Sequence, residues 1–415
     1  MYYCVIPIFK EPFLHPLHEN NGLSTLWVKP KDDKSFFIIQ KHPDSDKVLE
    51  DFKWLNEHSI LTPDKKILNH FYEFDKVMDI NYLYWDDTGK PFEKHITNNA
   101  IDFLSNKYYN LKKLNEIIPL SKHNEYCNDI VKSMDNLIVD LFDEYMNDVV
   151  KAFTSIEKNG IKVSNDICDI FDMRVKKHIS NGKLYSNYNL WTTTGRPSNS
   201  FGSVNFAALP PEKRKGFVAE NDYLVEFDFD AYHLRLIADL VGYHTFGEES
   251  VHEHLAKWYE CSYEESKQKT FRLLYGGIDK ETREKVPFFN LTHNYINKKW
   301  NEINTHNLVY TDIYRRKLLF KNYDNMNRNK VFNYLIQALE TESNIKKILS
   351  IQDYLLNKNT KLVLYGYDSF LFDFSQQDGV ETLKDIKSIL EEGKHFTKSK
   401  MGLNYGEMQD ITKRL

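Results

Sequence analysis

The sequence predicts an α+β fold, and three stretches of its second half carry that prediction. Over residues 223–230, apolar residues alternate with mostly acidic ones, which is the period of a β-strand. Over residues 234–241 the apolar residues recur at i, i+3, i+4 and i+7, which is one face of a helix. Further on, apolar runs at 362–365 and 370–374 flank a short turn containing Gly and Asp. Two such runs around such a turn predict a β-hairpin.

Composition indicates an ordinary soluble protein large enough for two or three domains. The chain has 415 residues, of which 41% are hydrophobic and 28% are charged. No apolar run approaches the roughly 20 residues that a membrane span needs, and the first residues lack the form of a signal peptide. The cysteines are scattered without a CxxC spacing, which argues against a zinc or redox pair and favours a reducing cytoplasm.

The net charge of −5 does not indicate a nucleic-acid-binding protein, so local basic clusters matter more than the total. Three of them stand out, at 174–183, 213–215 and 315–321. Each could contact nucleic acid, and each could equally be a solvated face.

The N-terminal half gives softer signals. Residues 1–105 predict an α/β domain, residues 106–184 a helical connection, and residues 185–415 the domain with the strongest motifs. Within the first two regions we expect strands at Cys4–Phe9, Ser35–Gln40 and Lys66–His70, a helix at Asp46–His58, and amphipathic helices around 126–153 and 165–178 with a turn at Asn159–Ile161.

Two aspartates lie at the ends of the predicted strands. Asp228 closes the strand over 223–230, and Asp368 lies near the tip of the predicted hairpin. Two carboxylates brought together in this way could hold two metal ions for in-line phosphoryl transfer. The alternative is a strand whose acidic face is simply solvated.

A third signal is a helix with a defined start and an unusual face. Ser262 and Glu265 form an S-x-x-E capping box, and Gly276-Gly277 ends the helix. Every fourth residue between them is aromatic or basic, namely Tyr263, Lys267, Phe271 and Tyr275. This face could meet a triphosphate and stack on a base, or it could be an ordinary helix with Phe271 and Tyr275 in the core.

Taken in order, these segments resemble the polymerase module of family A DNA polymerases, the DNA polymerase I group, over roughly 185–415. The matching segments are Thr192–Arg196 (T-x-T-G-R), Asp228–Arg235 (motif A), Lys267, Phe271, Tyr275 and Gly276 (motif B), the pair Asn333 and Gln337, and Tyr367-Asp368-Ser369 (motif C). The resemblance suggests a compact, phage-type member. It implies a right-hand fold with an antiparallel palm sheet, helical fingers and a reduced thumb, preceded by a small α/β domain that is exonuclease-like or divergent.

The resemblance also implies roles for individual residues. Asp228 and Asp368 would be catalytic and would bind two Mg²⁺ ions, for which Mn²⁺ could substitute, together with the backbone carbonyl of Phe229. The dNTP would contact Lys267, Phe271, Tyr275, His233 and Phe229, and the primer–template would contact Arg196, Arg235, Asn333, Gln337 and Gly276. The implied partners are primer–template DNA, dNTPs and a replisome or processivity factor, with no membrane.

The sequence departs from the family pattern at informative positions. His233 replaces the motif A glutamate that excludes ribose, and Ser369 replaces the second acid of motif C. Tyr263 stands where a phosphate-binding arginine is expected, and Asn329 stands where another arginine precedes Asn333. The early strands carry no D-x-E pair, so we expect a degenerate exonuclease domain, or a structural replacement for it, and no proofreading.

Two other functions fit part of this pattern. A single-subunit RNA polymerase or primase would also combine Asp-Ser in motif C with the missing glutamate. A catalytically dead relic that binds nucleic acid is the non-enzymatic alternative, although such a relic has no reason to keep Asp228, Asp368 and Lys267 together.

Overall fold

A computed structural model describes residues 2–11, 14–45, 51–89, 116–132, 143–165, 173–199, 204–247, 249–319 and 326–415. The chain divides into two compact units. The N-terminal unit contains residues 1–192 and 198–218, and the C-terminal unit contains residues 193–197 and 219–415. The predicted domain boundaries near residues 105 and 184 stay predictions, and parts of the predicted helical connection lie outside the described residues.

The N-terminal unit is built on a mixed five-stranded sheet. Its strands are β1 (Tyr2–Phe9), β2 (Leu23–Pro30), β3 (Phe36–Ile39), β4 (Ser59–Thr62) and β5 (Val77–Asp79), in the order β3-β2-β1-β4-β5. The pairs β1–β2 and β2–β3 are antiparallel, whereas β1–β4 and β4–β5 are parallel. Val5, Leu26, Val28, Ile38 and Ile60 form the centre of the core on this sheet.

Helices and short strands complete this unit. The helices are α1 (Lys65–Asn69), α2 (Ile80–Thr88), α3 (Leu120–Lys132), α4 (Glu144–Asn159), α5 (Met173–Lys176) and α6 (Pro211–Arg214). The short strands are β6 (Ile161–Val163), β7 (Ile179–Ser180), β8 (Lys183–Leu184), β9 (Tyr188–Asn189), β10 (Ser198–Asn199) and β11 (Phe217–Val218). The turn predicted at Asn159–Ile161 is confirmed, because α4 ends at Gly160 with a φ of 62°. Only glycine tolerates this position, since a Cβ there would lie 2.9 Å from the ring of Tyr185.

Two of the early predictions are wrong. The strand expected at Lys66–His70 is helix α1, and the strand precedes it at Ser59–Thr62. The helix forms because Asp64 caps it by accepting the backbone N–H of Ile67. The helix expected at Asp46–His58 is, in its described part, a single 3₁₀ turn at Lys53–Glu57, and residues 46–50 lie outside the described residues.

The C-terminal unit is organised around an antiparallel sheet. Its strands are β12 (Tyr223–Phe229), β15 (Lys361–Tyr365), β16 (Ser369–Phe374), β17 (Thr397–Gly402) and β18 (Gln409–Asp410), in the order β15-β16-β12-β17-β18. A separate hairpin pairs β13 (Leu308–Tyr310) with β14 (Lys317–Leu319). The predicted strand at 223–230 and the predicted hairpin at 362–374 are therefore confirmed.

The helices of this unit are α7 (Tyr232–Val241), α8 (Val251–Tyr259), α9 (Tyr263–Gly276), α10 (Lys280–Lys285), α11 (Pro287–His306), α12 (Arg328–Tyr354) and α13 (Val380–Leu390). The capping box of α9 is confirmed, since the Ser262 hydroxyl accepts the backbone N–H of Glu265 and the Glu265 carboxylate accepts that of Ser262. Helix α12 spans 27 residues and carries Asn333 and Gln337 as predicted.

Two further sequence-based expectations concern membrane-spanning helices and the cysteines. None of the helices in the described ranges is both long enough and apolar enough to cross a membrane. Cys4, Cys127 and Cys261 are free thiols, while Cys168 lies outside the described residues.

Candidate active site

The first two candidate residues meet where β12 pairs with β16. Asp228 lies directly opposite Ser369, and the backbone N–H of Phe229 donates to the carbonyl of Asp368 at 2.9 Å. Burial raises the pKa of Asp228 to about 6, and the like charges of Asp368 and Glu226 add to this rise. The two carboxylates therefore lie close enough to repel each other.

Asp368 lies at the tip of the hairpin and remains accessible to solvent. Partial loss of hydration raises the pKa of the Asp368 carboxyl, and the negative charge of the nearby Glu340 raises it further. The turn favours glycine at position 366, because a Cβ there would lie 2.5 Å from the Ser369 hydroxyl and would force that hydroxyl to move. Helix α12 fixes the turn as well, since the Asn344 side chain donates to the carbonyl of Tyr367 at 2.7 Å.

His233 links the start of α7 to α9. Its Nδ1 lies 2.8 Å from the hydroxyl of Tyr275, and its Nε2 lies 3.5 Å from Oε2 of Glu340. The resemblance implied that His233 and Tyr275 both contact the nucleotide. The structure places these two side chains in contact with each other.

Arg196 reaches the same place from the segment Thr193–Pro197. Its Nε lies 2.9 Å from Oε2 of Glu340, its Nη2 donates to Oε1 at 3.2 Å, and its guanidinium lies over the ring of Tyr367 at 4.0 Å. Helix α12 holds the segment itself, because the Thr194 hydroxyl donates to the side-chain oxygen of Gln337 at 3.2 Å. The resemblance implied that Arg196 and Gln337 contact DNA. Arg196 lies against Tyr367 in the hairpin that carries Asp368, and Gln337 lies on α12.

The aromatic and basic face of α9 is exposed. Phe271 is 43% exposed and Tyr275 is 37% exposed, so neither lies in the core as the alternative interpretation required. Lys267 is exposed on the same face, and the ring of His252 lies 6.0 Å from that of Phe271. Exposed aromatic rings beside a lysine are suited to a ligand that combines a base with phosphates.

Two predicted site residues have a different environment. The side chain of Phe229 is only 4% exposed and stacks on Tyr232, so its ring is packed inside the unit and only its backbone carbonyl is left for the predicted metal contact. Arg235 is 5% exposed and donates to the carbonyls of Asp230, Gly247 and Glu249. We therefore leave Arg235 out of the proposed DNA contacts.

The remaining predicted residues lie on the two long helices. Asn333 is half-buried on α12, and Gly276 is exposed at the end of α9. Next to Gly276, a Cβ at Gly277 would lie 3.2 Å from the Asn329 side chain, so α9 and α12 approach closely here.

Sequence reasoning missed Glu340 entirely. This glutamate is 1% exposed on α12 and contacts both Arg196 and His233. A lone acidic residue in a helical stretch carries no local signal, because its importance depends on partners more than 100 residues away. The interpretation of β12 as a solvated acidic face also fails at Glu226, which is buried and accepts the hydroxyl of Tyr405 at 3.1 Å.

Comparison with known proteins extends this description to the whole fold. No protein-family model matches the sequence, and no curated protein matches it. Among solved structures, the chain is similar to the POL domain of Pol1 from M. smegmatis, which was solved in complex with a DNA primer-template and a dNTP. The similarity covers 98% of this chain and 96% of that chain, with a TM-score of 0.68 and 11% sequence identity. This chain has a POL-like fold.

At this level of identity the similarity concerns the fold, and the site has to be judged from its own residues. Within the POL-like fold, Asp228 and Asp368 suit a hard divalent cation, because carboxylate oxygens are the donors that Mg²⁺ prefers. A cation between them would also relieve the repulsion that adds to the effect of burial on the pKa of Asp228. Membership of a phage-type subgroup stays a prediction.

A second polar cluster of the POL-like fold lies in the N-terminal unit. His15, His70 and Glu157 are the one group of three potential metal ligands lying close together among the described residues. The Lys66 ammonium already lies 2.6 Å from Glu157, and Nδ1 of His15 accepts the backbone N–H of Leu17, which leaves the proton on Nε2. We therefore assign this cluster to the internal packing of the unit.

Proposed function

We propose that this chain is a template-directed DNA polymerase that adds dNTPs to a primer 3′-hydroxyl, without proofreading. The observation that carries the proposal is the convergence of Asp228, Asp368, Arg196, His233 and Tyr275 at one place in a POL-like fold. The neighbour with that fold was solved with primer-template DNA and a dNTP, which supports the same substrates here.

In this proposal, Asp228 and Asp368 would hold two Mg²⁺ ions with the carbonyl of Phe229. When bound, the ions would activate the primer hydroxyl and neutralise charge on the triphosphate. The protein's part is positioning, because the reacting groups have to meet in line. Lys267 would bind phosphates from the exposed face of α9, and Phe271 and Tyr275 on that face would border the base pair. Arg196 and Gln337 would contact the primer–template from the segment and helix described above.

The absence of proofreading is proposed from the strands of the N-terminal unit. Strands β1, β2 and β3 contain no Asp or Glu at all. Two aspartates nearby, the half-buried Asp64 and the buried Asp79, serve as caps. Asp64 accepts the N–H of Ile67, and Asp79 accepts those of Lys65 and Tyr82. A two-metal nuclease site needs several carboxylates free to coordinate ions.

Primer extension tests the proposal. The wild-type chain should extend a 5′-labelled primer with dNTPs and Mg²⁺, and extend it far less with rNTPs. Asp228→Ala and Asp368→Ala should each lower the rate by on the order of a thousandfold or more, while DNA binding measured by fluorescence anisotropy persists. Asp385→Ala, at an exposed aspartate on α13, is the matched control and should extend normally. Near-normal extension by Asp368→Ala would refute the assignment, and extension only with rNTPs would favour an RNA polymerase or primase.

A further inference from the structure

Glu340 is a carboxylate buried where the proposed mechanism has no use for it. It lies in the middle of α12 with 1% of its surface exposed. Burying a carboxylate is costly unless cations or hydrogen-bond donors surround it. Because it is inaccessible, Glu340 cannot touch DNA or nucleotide, and any role in the reaction has to pass through its neighbours.

Those neighbours come from two separate elements of the site. Arg196, in the segment Thr193–Pro197, contacts both carboxylate oxygens, with Nε 2.9 Å from Oε2 and Nη2 3.2 Å from Oε1. The hydrogen bond from Nη2 and the ion-pair contact at Nε together hold the guanidinium against this carboxylate. His233, at the start of α7, places Nε2 at 3.5 Å from Oε2. The side chains of Arg196 and His233 are both partly exposed. Each can therefore contact a substrate on its exposed side while Glu340 contacts its buried side.

The two ring nitrogens of His233 face different groups. Nδ1 lies 2.8 Å from the Tyr275 hydroxyl, and Nε2 lies 3.5 Å from Oε2 of Glu340, an electrostatic contact without a hydrogen bond. When the Tyr275 hydroxyl donates to Nδ1, the ring proton resides on Nε2, the nitrogen nearer to Glu340. An unbroken chain of contacts therefore runs from Arg196 through Glu340 and His233 to Tyr275 on α9.

We propose that Glu340 is a positioning residue that couples recognition of the primer end by Arg196 to recognition of the nucleotide sugar by His233. The inference rests on the proposed function and extends it. Because one carboxylate orients both side chains, a displacement of Arg196 alters the contact between Glu340 and His233. A displacement of His233 likewise alters the contact between Glu340 and Arg196. Incorrect geometry at the primer end would then disturb acceptance of the next nucleotide.

The same helix offers a pair for comparison. Glu342 is also fully buried, and its carboxylate lies 2.7 Å from Nε of Arg316. Arg316 donates onward to the carbonyl of Thr194 at 3.2 Å and is itself buried. The other carboxylate oxygen of Glu342 accepts the backbone N–H of Tyr314 at 3.1 Å. Glu342 thus supports the fold of the same segment through a buried arginine and a backbone group, whereas Glu340 contacts two partly exposed side chains of the site. Glu340→Gln and Glu342→Gln are matched variants, since each removes one buried charge and keeps its shape.

The experiment measures two ratios by primer extension. The first compares a matched with a mismatched primer end, and the second compares dNTP with rNTP. For Glu340→Gln we expect both ratios to fall about tenfold, the size of effect that losing one charge-assisted contact produces. Glu342→Gln should lower the melting temperature and leave both ratios unchanged. In an Arg196→Ala background, Glu340→Gln should no longer alter the primer-end ratio, and in a His233→Ala background it should no longer alter the sugar ratio.

Each other outcome counts against the proposal in a distinguishable way. If both ratios stay within twofold of wild type in a folded Glu340→Gln chain that extends primers, the coupling is refuted and the proposed function stands. Full additivity in both backgrounds refutes it as well. If Glu340→Gln does not fold, Glu340→Asp keeps the charge with a shorter reach, and unchanged ratios in that variant refute the proposal. If the wild-type chain extends no primer, the proposed function fails, and this inference fails with it.

Discussion

The buried Glu157 makes the stability of the N-terminal unit depend on pH, and the size of this dependence can be calculated. Its carboxylate lies 2.6 Å from the Lys66 ammonium and 2.8 Å from Nε2 of His70, and it also accepts the backbone N–H of Tyr188 at 2.6 Å. Burial acts to raise the pKa of Glu157, but Lys66 and His70 outweigh it and lower the pKa to about 2.

The magnitude follows from this difference in pKa. The ordinary value of 4.5 applies in the unfolded chain, so the folded pKa is depressed by about 2.5 units, which corresponds to about 3 kcal/mol of stability. Because the folded pKa is the lower one, this stabilisation is present above about pH 4.5 and is lost as the pH falls towards 2. At pH 3 roughly half of it should remain.

The perturbation is Glu157→Gln, since glutamine resembles the protonated glutamate. We expect the variant to be about 3 kcal/mol less stable than wild type near pH 7, and the difference to shrink to roughly half of that at pH 3. Urea unfolding followed by amide hydrogen exchange of α4 measures this difference within the unit itself. Glu144→Gln, an exposed position on the same helix, is the control and should change stability by no more than about 0.5 kcal/mol. A Glu157→Gln difference that is equally large at pH 3 and pH 7 would refute the reasoning.

Three further predictions concern activity. His233→Ala should lower the dNTP/rNTP ratio about tenfold with little change in dNTP use, since the ring borders the proposed sugar site, and an unchanged ratio in single-nucleotide extension would place the gate elsewhere. A mismatched primer end should persist with Mg²⁺ and no dNTPs, whereas shortening that is abolished by a change within residues 1–105 would contradict us. With Mg²⁺ limiting, extension should rise roughly tenfold from pH 5 to pH 7, because Asp228, with a pKa of about 6, binds protons below that pH and is free for metal above it. Glu226→Gln, which removes a like charge, should move that midpoint to lower pH, and a flat profile would count against the assignment.

Local signals in the sequence were enough to predict the framework of the C-terminal unit. The alternation at 223–230 gives β12, the S-x-x-E box gives the start of α9, and the apolar runs give β15 and β16. These elements are predictable because their cause lies within a few neighbouring residues. The resemblance assigned both His233 and Tyr275 to the nucleotide, and the structure shows that their side chains contact each other.

The errors occurred where distant residues determine the outcome. The stretch at Lys66–His70 was predicted as a strand, but α1 buries Lys66 against Glu157 from another helix. Glu340 and Arg235 illustrate the same limit from opposite directions. Glu340 has no recognisable signal in the sequence, yet it contacts Arg196 in the site. Arg235 matches a motif, yet its side chain is buried and bonds to backbone carbonyls. Buried charges depend on tertiary partners, and a single sequence does not show which partners those are.

The segment Thr193–Pro197 has a consequence for how the chain can be divided. It groups with the C-terminal unit, while the residues on both sides of it belong to the N-terminal unit. A continuous piece covering 219–415 would contain Glu340 but lack Arg196, and so would keep a buried negative charge without its arginine. Recombination that exchanged the C-terminal part as a single block would therefore break the site. Because residues 193–197 belong to the C-terminal unit, no single cut in the gene separates the two units. The coding regions of both units therefore have to be inherited together.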